Sequence, residues 1–235
     1  MILVLASIID EAAADFTREL ASHTAASLVT CADLASAPLN LCHPNFDAST
    51  ITVSGECVSV GRLAGVVNLL PVVLPDEIIF YNEAEREYQA AEMHALLTFF
   101  LSSLACPVIN RATAMSLTGP FFNPFGWRQL AHSLGMTVAR IEMRSDAFVN
   151  PFALPVANEL VEVTCLGERV IVPSNTVADE QTLALAQGGG VEHLRAVYLR
   201  GENGDLRYLT AHTIPDLKSA PTRSAIADYF AARQP

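Results

Sequence analysis

Three arginines, Arg62, Arg111 and Arg128, stand beside apolar segments and are the candidates for meeting an anion. A guanidinium is a planar fork that matches carboxylate or phosphate oxygens in pairs. An arginine in such a place is more often one half of a surface ion pair. Arg128 directly follows Gly119-Pro120-Phe121-Phe122-Asn123-Pro124-Phe125-Gly126-Trp127, where four aromatic rings fall within nine positions. Clusters of this kind line binding surfaces when exposed and plug cores when not. Asn123 and Trp127 are the ligand candidates within it. Further on, His212 stands alone, and Asp216 is the only acid of residues 210–221, which by itself cannot build a two-metal site. His193 is a second singleton histidine, of the kind more often satisfied in a core than catalytic. Cys42-His43 is the one adjacent pair of soft ligands, too few for a structural metal. Gly188-Gly189-Gly190 could wrap a phosphate with its amides, but it lacks a preceding strand and a following Lys or Ser/Thr, so it reads as a flexible turn.

Elements must position these groups, and the bulk composition bounds what they can be. The chain has 235 residues, 51% of them hydrophobic and 17% charged, enough to bury one large core or two small ones. A formal charge of −11 repels phosphate backbones and anionic lipid heads, so neither nucleic acid nor a membrane surface is an expected partner. No apolar run reaches the roughly 20 residues of a membrane helix. The five cysteines are scattered and free of CxxC spacing, which points to reduced packing thiols and a cytoplasmic location.

Residues 2–9 form an apolar run that reads as a buried first strand, followed by a helix with Ala13, Phe16, Leu20 and Ala21 on one face. Residues 33–49 read as loop. Two alternating segments around Ser54-Gly55-Glu56 predict a hairpin, and residues 65–70 another strand. Residues 82–104 are the clearest helix, with Glu83, Glu85 and Glu87 at its positive end. A short strand at Val108-Ile109 and a helix over 127–134 closed by Gly135 come next. From residue 137 the chain reads mainly as strands, with hairpins turning at Gly167-Glu168 and at 201–205, and a last helix over 222–231.

This order of elements resembles ATP-grasp enzymes that modify peptides or join a carboxylate to an amine. The first half resembles their pre-ATP-grasp domain, through the strand 66–70, the acid-started helix, the exit Pro107-Val108-Ile109-Asn110-Arg111 and the helix with Trp127-Arg128-Gln129-Leu130-Ala131. The second half is similar to the end of the catalytic domain, through Gly167-Glu168-Arg169-Val170 and the final hairpin and helix. The resemblance implies an α/β fold: a small, mostly parallel sheet with flanking helices over residues 1–112, then a shortened α+β region rich in hairpins over 113–235. It also implies ATP and magnesium as cofactors, wherever the chemistry survives. That chemistry forms an acyl phosphate and needs cations at the phosphates and acids on the metal. The family uses lid lysines, whereas the only lysine here is Lys218. The family's Glu-x-Asn word corresponds to Leu209-Thr210-Ala211-His212-Thr213, which has neither metal ligand. Only about thirty residues separate Gly135 from the Glu168 hairpin, where the family spends well over a hundred. The expectation is therefore a degenerate ATP-grasp-like accessory or binding protein, with no cofactor and a peptide or enzyme partner. The alternatives are a minimal ligase that uses arginines, or a structural domain whose apolar content suits a homodimer.

Overall fold

The computed structural model describes residues 1–36, 39–120, 122–140, 159–173, 176–201 and 203–233. Contacts divide the chain into two units, Met1–Phe121 with Ile214–Pro235, and Phe122–Thr213. This differs from a division at residues 112 and 113, because the end of the chain returns to the first unit. The returning helix α6 (Ala220–Ala231) starts at Ser219, whose hydroxyl accepts from Thr222 N at 3.4 Å. Its Phe230 is fully buried, with the ring where a Cβ on Gly65 would stand.

The first unit holds a parallel sheet of β1 (Ile2–Leu5), β2 (Ala26–Val29), β5 (Gly65–Asn68) and β6 (Val108–Ile109), in the order β2-β1-β5-β6. Every residue of β1 and β5 is buried, as strands covered on both faces require. The first strand ends four residues before the apolar run does. Ile8 and Ile9 are 50% and 84% exposed, and Asp10 accepts from Ala13 N at 3.0 Å to begin α1 (Glu11–Ala21). Ala13, Phe16 and Leu20 face the core as their spacing predicts, with Thr17 beside them; Ala21 faces out. The stretch expected as loop opens on a short helix, α2 (Cys31–Ser36). Thr30 and Asp33 cap it reciprocally, Thr30 N donating to Asp33 Oδ2 at 2.9 Å and Asp33 N to Thr30 Oγ1 at 3.2 Å.

The hairpin of β3 (Thr50–Val53) and β4 (Glu56–Ser59) turns through Ser54 and Gly55 at φ 52° and 82°, the left-handed pair that a tight hairpin demands. The long helix α3 (Arg86–Ser103) covers the sheet with Ala90, Leu97, Phe100 and Leu101. Glu83–Glu85 form a separate 3-10 turn before it. Cys31 and Cys165 are packed thiols, whereas Cys42 and Cys57 are exposed and so are not packing residues.

The second unit holds α4 (Pro124–Ser133), β7 (Glu159–Leu166), β8 (Arg169–Val170), α5 (Thr176–Gly189), β9 (His193–Arg200) and β10 (Leu206–His212). Its sheet is antiparallel, in the order β10-β9-β7-β8. One face packs Val163, Cys165, Leu194, Tyr198 and Tyr208 against Leu185 and Ala186 of α5 and Trp127 of α4. The other face buries Val197, Leu199 and Leu209 with Ala139. Among the described residues no helix is long and apolar enough to cross a membrane.

Candidate functional site

Within the second unit, Asn123 is the cap of α4, its side chain accepting from Gly126 N at 2.8 Å, with Pro124 at the first helical position. The helix therefore begins three residues before the predicted start. Trp127 is 3% exposed and its ring lies 4.7 Å from that of half-buried Phe122, so these two rings belong to the core, whereas Phe125 is 47% exposed. Phe121 lies outside the described residues.

The opposite wall is α5, an element absent from the strand reading of this region. Gly188 and Gly189 are not a phosphate loop or a flexible turn; they lie in the last turn of α5, where a Cβ on Gly189 would stand 2.7 Å from Trp127. Only the glycine lets helix and indole approach so closely. Gly190, at φ 66°, is the residue that ends the helix.

Arg128 bridges the unit from inside. Its guanidinium donates to the carbonyls of Leu209, at 3.2 Å, and Ala139. Burial pulls it below the usual arginine range, with Tyr208 acting the other way. This arginine ties α4 to β10 instead of presenting a fork to solvent.

Three residues along β10, His212 lies opposite Arg195 of β9, which lies opposite Thr164 of β7. The Glu162 carboxylate approaches Arg195 to 3.6 Å on the same face. Burial and Arg195 hold His212 below its ordinary pKa, against the pull of Glu162, so it is neutral at pH 7. At the start of β9, His193 is fully buried and Nδ1 donates to the Thr213 carbonyl at 2.8 Å; burial pushes its pKa down to about 4. It is a structural, neutral imidazole. Among the described residues no three His, Cys, Asp or Glu side chains gather as a metal would need.

A cleft of about 750 Å³ opens elsewhere in this unit, between the β7–β8 turn and α5. Glu168, Glu180 and Glu192 line it with Gln187, and Leu183, Ala184 and Val191 provide an aliphatic wall. Glu180, Leu183, Ala184 and Gln187 follow the spacing of one helix face. That was the available signal, and reading the segment as strand hid it. A carboxylate-rimmed aliphatic cleft suits a cationic side chain on an apolar segment.

The remaining candidates, all in the first unit, make local contacts. Arg111 donates to the carbonyls of Leu101, Ser102, Leu104 and Cys106, at 3.2, 3.4, 2.6 and 2.9 Å, and so closes the end of α3. Asp216 Oδ1 accepts from Lys218 N at 3.0 Å in the turn before α6. Arg62 is exposed on a 3-10 turn, where its carbonyl accepts from the chain's terminal ammonium at 3.4 Å. Asn123, Trp127, Arg128 and His212 thus belong to one unit, and Arg62, Arg111 and Asp216 to the other.

The structure matches PsnB, an ATP-grasp ligase complexed with minimal precursor, Mg and ADP, at a TM-score of 0.72 and 14% identity, over 99% of this chain and 97% of that one. It matches the macrocyclase MdnC of Microcystis aeruginosa MRC, bound with precursor peptide MdnA, at 0.72 and 12% identity over 100% of both chains. The chain has the fold of the ATP-grasp ligases. A third neighbour of this ATP-grasp-like chain is a RiPP-associated ligase of Chryseobacterium gregarium in complex with ADP and a leader and core peptide, at 0.69 and 10% identity, over 100% and 97% of the two chains. No family model and no curated protein matches the sequence. The parallel sheet with flanking helices and the hairpin-rich region that follows are the α/β architecture expected from the resemblance.

Among the described residues the donor set does not fit a magnesium nucleotide. The chain's single lysine, Lys218, is exposed, Arg128 donates to backbone carbonyls, and the Glu162 carboxylate on the His212 face lies beside Arg195.

Proposed function

We propose that the chain is an ATP-grasp-like binding protein that works without nucleotide, as an accessory to peptide modification. In this reading the cleft of Glu168, Glu180 and Glu192 holds a peptide segment that alternates basic and apolar side chains. The donor set carries the reading: Arg111 and Arg128 are engaged with the protein's own carbonyls, while carboxylates gather around an open, partly aliphatic cleft. The fold neighbours PsnB and MdnC have precursor peptides bound, which supports a peptide as the occupant.

Calorimetric titration with a decapeptide alternating arginine and leucine tests this. Saturable binding is expected, weakened about tenfold by the double change Glu168→Gln and Glu180→Gln, and weakened by salt. Because an acidic protein attracts any basic peptide, the control is Glu11→Gln with Asp15→Asn, which removes the same charge from α1 and leaves binding nearly unchanged. Equal weakening by the two pairs sinks the reading.

Arg195, His212 and Glu162 on one sheet face favour a second reading, a minimal ligase with arginines in place of lysines. It requires saturable magnesium-ATP binding that Arg195→Ala abolishes. Exposed Ile9, Phe80 and Met115, at 84%, 62% and 73%, supply apolar surface for self-association, which light scattering reads directly.

A further inference from the structure

Helices α1 and α6, both in the first unit, do not close on one another along their whole length. Between them lies a cleft of about 420 Å³, within the usual range of small-ligand sites. Two stripes make it: Phe16, Glu19, Leu20 and His23 follow the face of α1 and continue past its end, and Ser224, Ala227, Asp228 and Ala231 follow the face of α6. The floor is apolar: Ile2, Phe16 and Leu20 lie beneath it at 1%, 1% and 2% exposed, and Ala227 and Ala231 supply the accessible apolar wall. The opposing residues are small, which leaves the space between the helices open instead of interdigitated.

The charges at its rim are unequal. Arg223 is satisfied within the fold, its Nε donating to Glu19 Oε2 at 2.7 Å and its Nη1 to the carbonyls of Leu217 and Lys218 at 3.0 and 3.4 Å. That ion pair also neutralises Glu19. Asp228, on the exposed side of the same cleft, makes no ion pair or side-chain hydrogen bond among the described residues. The net character is therefore an apolar slot with one uncompensated carboxylate at its mouth.

We propose that this cleft is a binding site for a small amine with an apolar body, the body against Ala227 and Ala231 above the buried Ile2, Phe16 and Leu20, and the ammonium on Asp228. The proposal is independent of the peptide cleft in the second unit and stands or falls without it. The charge sign follows from Asp228, because an acid ligand would meet a carboxylate with Arg223 already paired. The size limit follows from the volume: a single ring and short tail fit, a helix does not.

The test is calorimetric titration of the full chain at low ionic strength with phenethylamine, and with phenylacetate as the same ring carrying the opposite charge. Saturable binding of the amine is expected, about tenfold tighter than the acid and weakened about fivefold by Asp228→Asn. Ala227→Trp fills the slot and abolishes binding; Ala231→Leu does the same if that protein does not fold, as read by circular dichroism. Equal binding of amine and acid, no saturable binding of the amine, or an Asp228→Asn protein with unchanged affinity each overturns the proposal.

Discussion

In the parallel-sheet unit polar side chains turn inward to backbone: Asn68 donates to the Leu117 carbonyl at 2.6 Å and accepts from Leu70 N at 3.0 Å, and Arg111 closes α3 with four carbonyl contacts. In the antiparallel-sheet unit one arginine, Arg128, has the same inward task, but the carboxylates of the α5 cleft surround open space. Both units bury an apolar core, so burial does not distinguish them. What differs is where the charged side chains stand, on backbone carbonyls in the one and around an open cleft in the other. For a fold whose ligases stabilise developing anions, a surplus of carboxylates at the open site is the reverse of what the phosphate chemistry asks.

The comparison is most easily broken at Trp127, where both the α4 helix and the Gly189 approach depend on one side chain. Trp127→Ala should cost about 3–5 kcal/mol in urea unfolding and loosen the second unit before the first. A single transition shifted by under about 1 kcal/mol would show that the indole is not the keystone.

His193 gives a pH handle on the same unit. Its folded pKa of about 4 lies below the ordinary 6.5, so between these values the unfolded chain binds the proton that the folded chain refuses. The stabilisation is complete above pH 6.5 and is lost as pH falls towards 4, by roughly 3 kcal/mol. Urea midpoints at pH 7 and pH 4.5 measure the slope, and His193→Gln should flatten it.

In the first unit Arg111→Ala should cost about 1.5–3 kcal/mol, because carbonyls at the end of α3 lose a charged donor. Lysine should restore only part of this, since an ammonium cannot serve carbonyls spread around a planar fork. Full rescue by Arg111→Lys would mean that charge alone matters there. The smallest stability effect is expected from Glu168→Gln with Glu180→Gln, within about 0.5 kcal/mol of the parent although peptide affinity falls. A large loss of stability would place these glutamates in the fold instead of at a ligand.

The first unit was more legible than the second for a physical reason. Buried parallel strands such as β1 and β5 read as unbroken apolar runs, and the hairpin turn at Ser54-Gly55 has its own local chemistry. Boundaries failed where a capping side chain decided them, as at Asp10 and Asn123. Helix α5 failed for another reason. Its glycines look like a loop in sequence, and only the approach of Trp127, some sixty residues earlier in the chain, explains why they stand in a helix. Of the site, the lack of lid lysines was visible from the solitary Lys218, but the engagement of Arg111 and Arg128 by carbonyls, and the meeting of Glu168 with Glu180 at one cleft, required the tertiary fold.

The central claim is that this ATP-grasp fold no longer serves a nucleotide, and calorimetry with magnesium-ATP at millimolar concentration tests it most directly. The account predicts no saturable heat with the parent protein. Saturable binding that disappears in Arg195→Ala would contradict it and favour the arginine-based ligase instead.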